Sequence, residues 1–209
     1  MIINTGARTD TVQYYSEWLL NRFEEGFVYS RNPLFPNKVI RYELDPKIVD
    51  CVIFCSKNYE PILDNLYKII EKFNTYFYYT ITAYKKDIEP KVPSIDKITG
   101  KNKIAWRYDP VLLTKDYTID YHTKTFDYIA KQLNGHIDRC IFSFVEMYKK
   151  LKYNMPEIIP LSEDDRNILA YELGKTAKKY GITIQTCGTN GIFTQYGINQ
   201  SGCTTLDIL

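Results

Sequence analysis

An α/β fold with parallel strands is the class the sequence predicts, and three observations predict it. Short apolar, β-branched or aromatic runs alternate with longer segments of helical periodicity. Several of those helical segments close on glycine. No repeat of 20 to 50 residues and no low-complexity tract competes with that alternation. At 209 residues, 44% hydrophobic and 15% aromatic, the chain is long enough to bury one sizeable core, and a single domain is expected.

The elements follow in order. "MIINTGARTD" reads as a strand over Ile2 to Asn4 and a polar turn. "TVQYYSEWLLNRFEEG" places Tyr15, Trp18, Leu19 and Phe23 on one helix face, and Gly26 closes it. "FVYSRNP" and "KVIRYEL" are extended pieces around the proline-bearing turn "NPLFPN", a small hairpin insert near residues 27–44. "CVIFCSKN" carries a strand over Cys51 to Cys55, apolar enough to be buried on both faces. "YEPILDNLYKIIEKF" follows as a helix with Ile62, Leu66, Ile69 and Ile70 on its apolar side. Tyr76 to Ala83 is a further strand, trailing into the charged loop "KKDIEPKVPSIDKITGKN", which is too short and too broken for a good crossover helix. Ile104 to Arg107, Cys140 to Phe144 and Ile182 to Thr186 complete six principal strands, separated by the helical segments "YTIDYHTKTFDYIAKQLNG" and "SEDDRNILAYELGKTAKKYG". In the second segment Ser162 and Asp165 stand close to a capping box, with Asp in place of Glu.

Charge excludes more than it assigns. Twenty-seven basic and 25 acidic residues leave +2, so no global field announces nucleic acid or an anionic membrane. Nucleic acid as a partner is therefore unsupported by net charge, although a local basic patch stays open. The 19 tyrosines read as the compositional bias of an AT-rich genome before they read as function. No run of 18 apolar residues occurs and the N-terminus lacks the features of a signal peptide, so no membrane span and a cytoplasmic location are expected. The five cysteines, Cys51, Cys55, Cys140, Cys187 and Cys203, are scattered through apolar segments and read as reduced thiols without disulfides.

The candidate site comes from the strand ends. In parallel α/β folds the loops after the strands carry the site, because all strand C-termini open on one face. Those ends supply Arg8 and Asp10, then Ser56, Lys57 and Asn58, then Thr82 and Tyr84, then Arg107 and Asp109, then Glu146, then Gln185 and Cys187. Parallel strands would gather them into a polar mouth suited to an anionic or phosphate-bearing small molecule. Arg107, between Trp106 and Tyr108, is the first choice to hold an anion, with its guanidinium held flat by the two rings. Arg107 with Asp109 also reads as a local ion pair, and Asp109 before Pro110 as a turn residue.

Other groups point to no chemistry. Cys51 and Cys55 would lie roughly 13 Å apart along one strand face, too far to share a metal. Cys187 and Cys203 lie in one loop-rich tail and could approach each other, yet two thiols are an incomplete metal set. His122 and His136 read as surface or helix-end residues. No Ser-His-Asp signature and no phosphate loop occurs, so catalytic residues are unknown and no metal ligand is named.

The strings "ARTD", "YYSEW", "GFVYSRNP", "VDCVIFCSKN", "KDIEPKVPS", "WRYDPVLLT", "CIFSFVEMYKK" and "YGINQSGC" together resemble the bacterial family known as domain of unknown function 1848, over essentially the whole chain. That family is similar to radical S-adenosylmethionine enzymes such as spore photoproduct lyase. The resemblance implies a partial (βα)6 TIM-like barrel with mostly parallel strands, a 4Fe-4S cluster held by three thiolates, and S-adenosylmethionine. Two departures qualify what it implies. The chain lacks the cysteine-rich segment that would hold the cluster, so no cofactor is expected in these 209 residues. The loop before "KIAWRYDP" is short, so one crossover helix is shortened or missing and the sheet needs other cover, such as a partner subunit in a homo-oligomer.

The leading expectation is a protein that binds an anionic or nucleotide-like small molecule through Arg8, Asp10, Lys57, Asn58, Tyr84, Arg107 and Asp109. Two alternatives stand beside it. One is a radical S-adenosylmethionine enzyme acting on a nucleotide or nucleic acid with its cluster supplied elsewhere; the other is a non-catalytic interaction or inhibitor protein.

Overall fold

A computed structural model describes residues 1–6, 8–84, 99–189 and 191–205. Its strands other than one hairpin belong to a seven-stranded sheet, within which every pairing given below is parallel. By internal contacts the chain divides into a unit over Met1–Tyr78 and a second from Tyr79 onward.

In the first unit, β1 (Ile2–Asn4) pairs in parallel with β4 (Cys51–Ser56). The apolar run Cys51 to Phe54 is at most 1% exposed, as a strand covered on both faces requires. β5 (Thr75–Thr80) is the strand in which this unit ends, and Phe77 on it stacks on Phe54 at 5.0 Å. The expected single helix after the first turn is two, α1 (Thr11–Tyr14) and α2 (Ser16–Glu25), because Tyr15 leaves helical dihedrals at φ −139°, ψ 33°. Gly26 closes α2 in the left-handed conformation at φ 78°, which a side chain would strain. The two extended pieces are β2 (Phe27–Asn32) and β3 (Phe35–Glu43), an antiparallel ribbon. The helix expected after β4 reduces to two turns, α3 (Glu60–Leu63) and α4 (Tyr67–Ile70). Between them the chain tightens to i→i+3 bonds, such as the Asn65 amide to the Ile62 carbonyl, so the apolar spacing survives without a continuous helix.

In the second unit the order is β6 (Ile104–Val111), β7 (Arg139–Phe144), β8 (Thr183–Thr186) and β9 (Ile198–Asn199), all parallel. β9 is the strand the sequence reading missed, two residues long in a polar tail. β6 runs past its expected end at Arg107, through the cis Asp109–Pro110 bond and a register shift, to Val111. A ladder tolerates Pro110 there because the pairing is already irregular. α5 (Ile119–Leu133) packs Phe126 flat on Trp106 at 4.6 Å. α6 (Lys149–Asn154) was not anticipated, and α7 (Glu163–Lys179) opens on the full Ser162–Asp165 capping box.

The parallel α/β sheet stands. Among the described residues β1 and β9 end the strand order with no pairing between them, so no closed barrel is found. The expected missing crossover helix falls on residues 85–98, which lie outside the described ones. No helix among the described residues is long and apolar enough to cross a membrane.

Candidate functional site

Within each unit the expected strand-end residues take local partners. In the first unit Asp10 caps α1, accepting from the Gln13 amide at 2.9 Å through Oδ1. Its Oδ2 accepts from Ser56 Oγ at 2.8 Å and the Lys57 amide at 3.2 Å. Asn58 Oδ1 accepts from the Glu60 amide, opening α3. These carboxylate and amide groups join the β1 turn to the β4 turn. Arg8 turns elsewhere, donating from Nη1 to the Arg31 carbonyl of β2 at 2.6 Å.

That contact stands at a cavity of about 730 Å³ within this unit, walled by β1, α2 and the hairpin. Three arginines line it, Arg8, Arg22 and Arg31. So do five aromatic side chains, Tyr15, Trp18, Phe23, Tyr29 and Tyr42. Trp18 is 45% and Tyr29 59% exposed, large apolar surfaces that stay wet because they face this opening. No Asp, Glu, His or Cys is among the described residues that line it. Arg22 Nη2 donates to Glu25 at 2.7 Å and its guanidinium sits 5.6 Å over Phe27, which holds it in place at the end of α2. The sequence reading missed Arg22, Arg31 and the aromatic wall. It placed Tyr15 and Trp18 on the apolar face of a core helix, and in the structure that face is shared between core, through Leu19 and Phe23, and cavity.

In the second unit the strand pleat decides what Arg107 can reach. Alternate residues of β6 point to opposite faces. Trp106 and Tyr108 face α5, packing on Phe126 and His122, so they do not flank the Arg107 guanidinium. Arg107 lies on the other face, where it pairs with Asp109, and Ser143 Oγ donates to the same carboxylate. The local ion pair is thus the arrangement observed, supported from β7. Arg107, Ile141 and Gln185 occupy one register row across β6, β7 and β8. Arg139 donates to Gln185 Oε1 at 3.1 Å on the same face.

Tyr84 is a structural staple. Its hydroxyl donates to the Pro110 carbonyl at 2.8 Å and accepts from the Leu112 amide at 2.9 Å. Burial, with lesser contributions from neighbouring phenols and Asp109, pushes its ionisation well above the usual tyrosine value. His122, expected at the surface, is fully buried. Its Nε2 lies 2.8 Å from the Leu112 carbonyl, an acceptor only, so Nε2 carries the proton and Nδ1 accepts from Tyr108 Oη at 2.8 Å. Burial holds the imidazole pKa below its ordinary 6.5.

Cys187 and Cys203 form a disulfide with Cα atoms 5.2 Å apart, which corrects the expectation of five reduced thiols. The β8–β9 connection and the turn after β9 return the two tail segments to one place, the approach that the loop-rich tail had left open. Cys51, Cys55 and Cys140 take no part in a disulfide. Among the described residues no group of three or more His, Cys, Asp or Glu could hold a metal ion. The three-thiolate set that an iron-sulfur cluster needs is therefore not gathered by them.

Comparison with known proteins places the chain in a family. It belongs to the family described as Domain of unknown function (DUF1848), whose model matches residues 2–209. No curated protein and no solved structure matches the chain.

Proposed function

We propose that this member of the DUF1848 family binds a small anion with a flat apolar body, of the kind a nucleotide presents, in the first-unit cavity. The carrying observation is the lining: three arginines, no carboxylate among the described residues, and five aromatic side chains around about 730 Å³. That volume lies in the range of small-molecule sites. Arg8 and Arg31 meet the charged end, because a guanidinium fork matches phosphate or carboxylate oxygens two at a time. Trp18 and the tyrosines cover the flat body. The reading is one of binding, carried by the arginines and the aromatic wall.

The test is a thermal-shift screen with nucleoside monophosphates, each beside its parent nucleoside. A ligand at one hundred times its Kd stabilises by about 2.7 kcal/mol, which for a chain of this size is roughly 5–10 °C. The monophosphate should outperform the nucleoside, Arg8→Ala should remove most of the shift, and Arg107→Ala should keep it relative to its own baseline. Equal responses of the Arg8→Ala and parent chains would sink the proposal, as would a screen in which no compound raises Tm.

A further inference from the structure

The disulfide sits where the second unit's strands end, and it holds a segment of its own. Cys187 directly follows β8, and its partner Cys203 lies four residues beyond β9. The chain around Cys203 lies on the polar face of β7 and β8. Gln185, 1% exposed, donates from Nε2 to the Gly202 carbonyl. Arg139 donates from Nη1 to Thr205 Oγ1 at 3.1 Å while also holding Gln185 Oε1. Two side chains of one sheet face thus take acceptors from residues 202–205, and a covalent bond clasps that short stretch at the strand end.

Two of the other three thiols lie deeper. Cys51 and Cys140 are fully buried in strands, and burial pushes the Cys140 thiol well above its ordinary range. Cys187 and Cys203 are both half-buried, so a small thiolate can reach one of their sulfurs.

We infer that Cys187–Cys203 is a redox-cleavable clasp that keeps residues 202–205 on the polar face of β7 and β8, and that a dithiol releases them. The exchange balances. One thiolate of the dithiol attacks a clasp sulfur and breaks the protein S–S bond, forming a mixed disulfide. The second thiol then closes the reductant's own disulfide. Two electrons pass from dithiol to protein, and two protons end on the Cys187 and Cys203 sulfurs. What the release uncovers is Gln185 and Arg139, the two side chains that hold residues 202–205.

The full chain purified without reductant is the starting material. Alkylation under denaturing conditions should label three thiols before treatment with dithiothreitol and five after it. Hydrogen–deuterium exchange should then show the amides of residues 200–205 exchanging at least tenfold faster after reduction, with α5 and α7 unchanged. Cys203→Ser should reproduce the fast exchange without reductant, and Arg139→Ala in the oxidised chain should leave it slow because the bond still holds. Five labelled thiols at the outset would overturn the clasp. So would unchanged exchange at 200–205 on reduction, or acceleration throughout α5 and α7, which would make the bond a global support.

Discussion

At position 174 a single methyl group decides a packing contact. Gly174 lies inside α7, and a Cβ built there would sit 2.3 Å from the Tyr196 carbonyl oxygen. In an exposed helix interior alanine is better than glycine by about 1 kcal/mol. Here the clash is with backbone, which cannot rotate away, and overpacking costs about 1–3 kcal/mol. Gly174→Ala should therefore lower Tm in a thermal melt, and a rise would show that the turn at Thr194–Tyr196 yields easily. Sequence periodicity could not reveal this, because nothing local to α7 names Tyr196 as its neighbour. The same blindness explains Arg107. The reading of "WRYDP" set the two rings beside the guanidinium along the chain, whereas the pleat sends them to the opposite face. Asp109, two residues on, was the neighbour that mattered, and an i, i+2 reading of a strand already contained it.

Helix ends were the most legible elements, because their signals are local. The Ser162 hydroxyl accepts from the Asp165 amide at 3.1 Å, and the Asp165 carboxylate accepts from the Ser162 amide at 2.9 Å. Ser162→Ala removes the cap acceptor and should cost about 1 kcal/mol, or roughly 2–4 °C in Tm. Ser162→Asn should recover most of that loss, and an alanine variant as stable as the parent would mean the first turn draws nothing from its box. Gly26 was legible for the same reason. The segment after β4 was not. Its apolar spacing marks which residues face inward, and Ile62, Leu66 and Ile69 are indeed fully buried, yet the same spacing serves tight i→i+3 turns as well as an α-helix. The cavity was half legible. Arg8 was singled out, while Arg31 sat in the hairpin strand and Trp18 in a helix face that two environments share.

At the scale of the whole chain, alternating strand and helix signals sufficed for a parallel α/β sheet, since runs such as "CVIF" are buried on both faces, as strands of such a sheet are. Closure into a barrel was not legible, because it depends on strand length and stagger at the two ends, and β9 has no hydrophobic run to announce it. Stability against pH is the property in which these placements act together. His122 stays neutral in the folded chain below 6.5, where the unfolded chain takes up a proton. The unfolded state then binds more protons, so stability falls as pH drops below 6.5, by about 1.4 kcal/mol per unit, until the lowered folded-state pKa is reached. Above 6.5 this contribution is complete. Asp165 acts later, since hydrogen bonds from Ser162 hold its carboxyl below 3.8, and what it contributes is present above 3.8 and lost as pH falls further. Urea unfolding at successive pH values should accordingly show a decline beginning near 6.5 and distinct from the acid limb. His122→Gln, whose amide can donate to Leu112 and accept from Tyr108, should be less stable at pH 8 yet flat between 8 and the acid limb. A His122→Gln profile that keeps the same slope would assign the decline to other groups and leave the buried imidazole with no part in it.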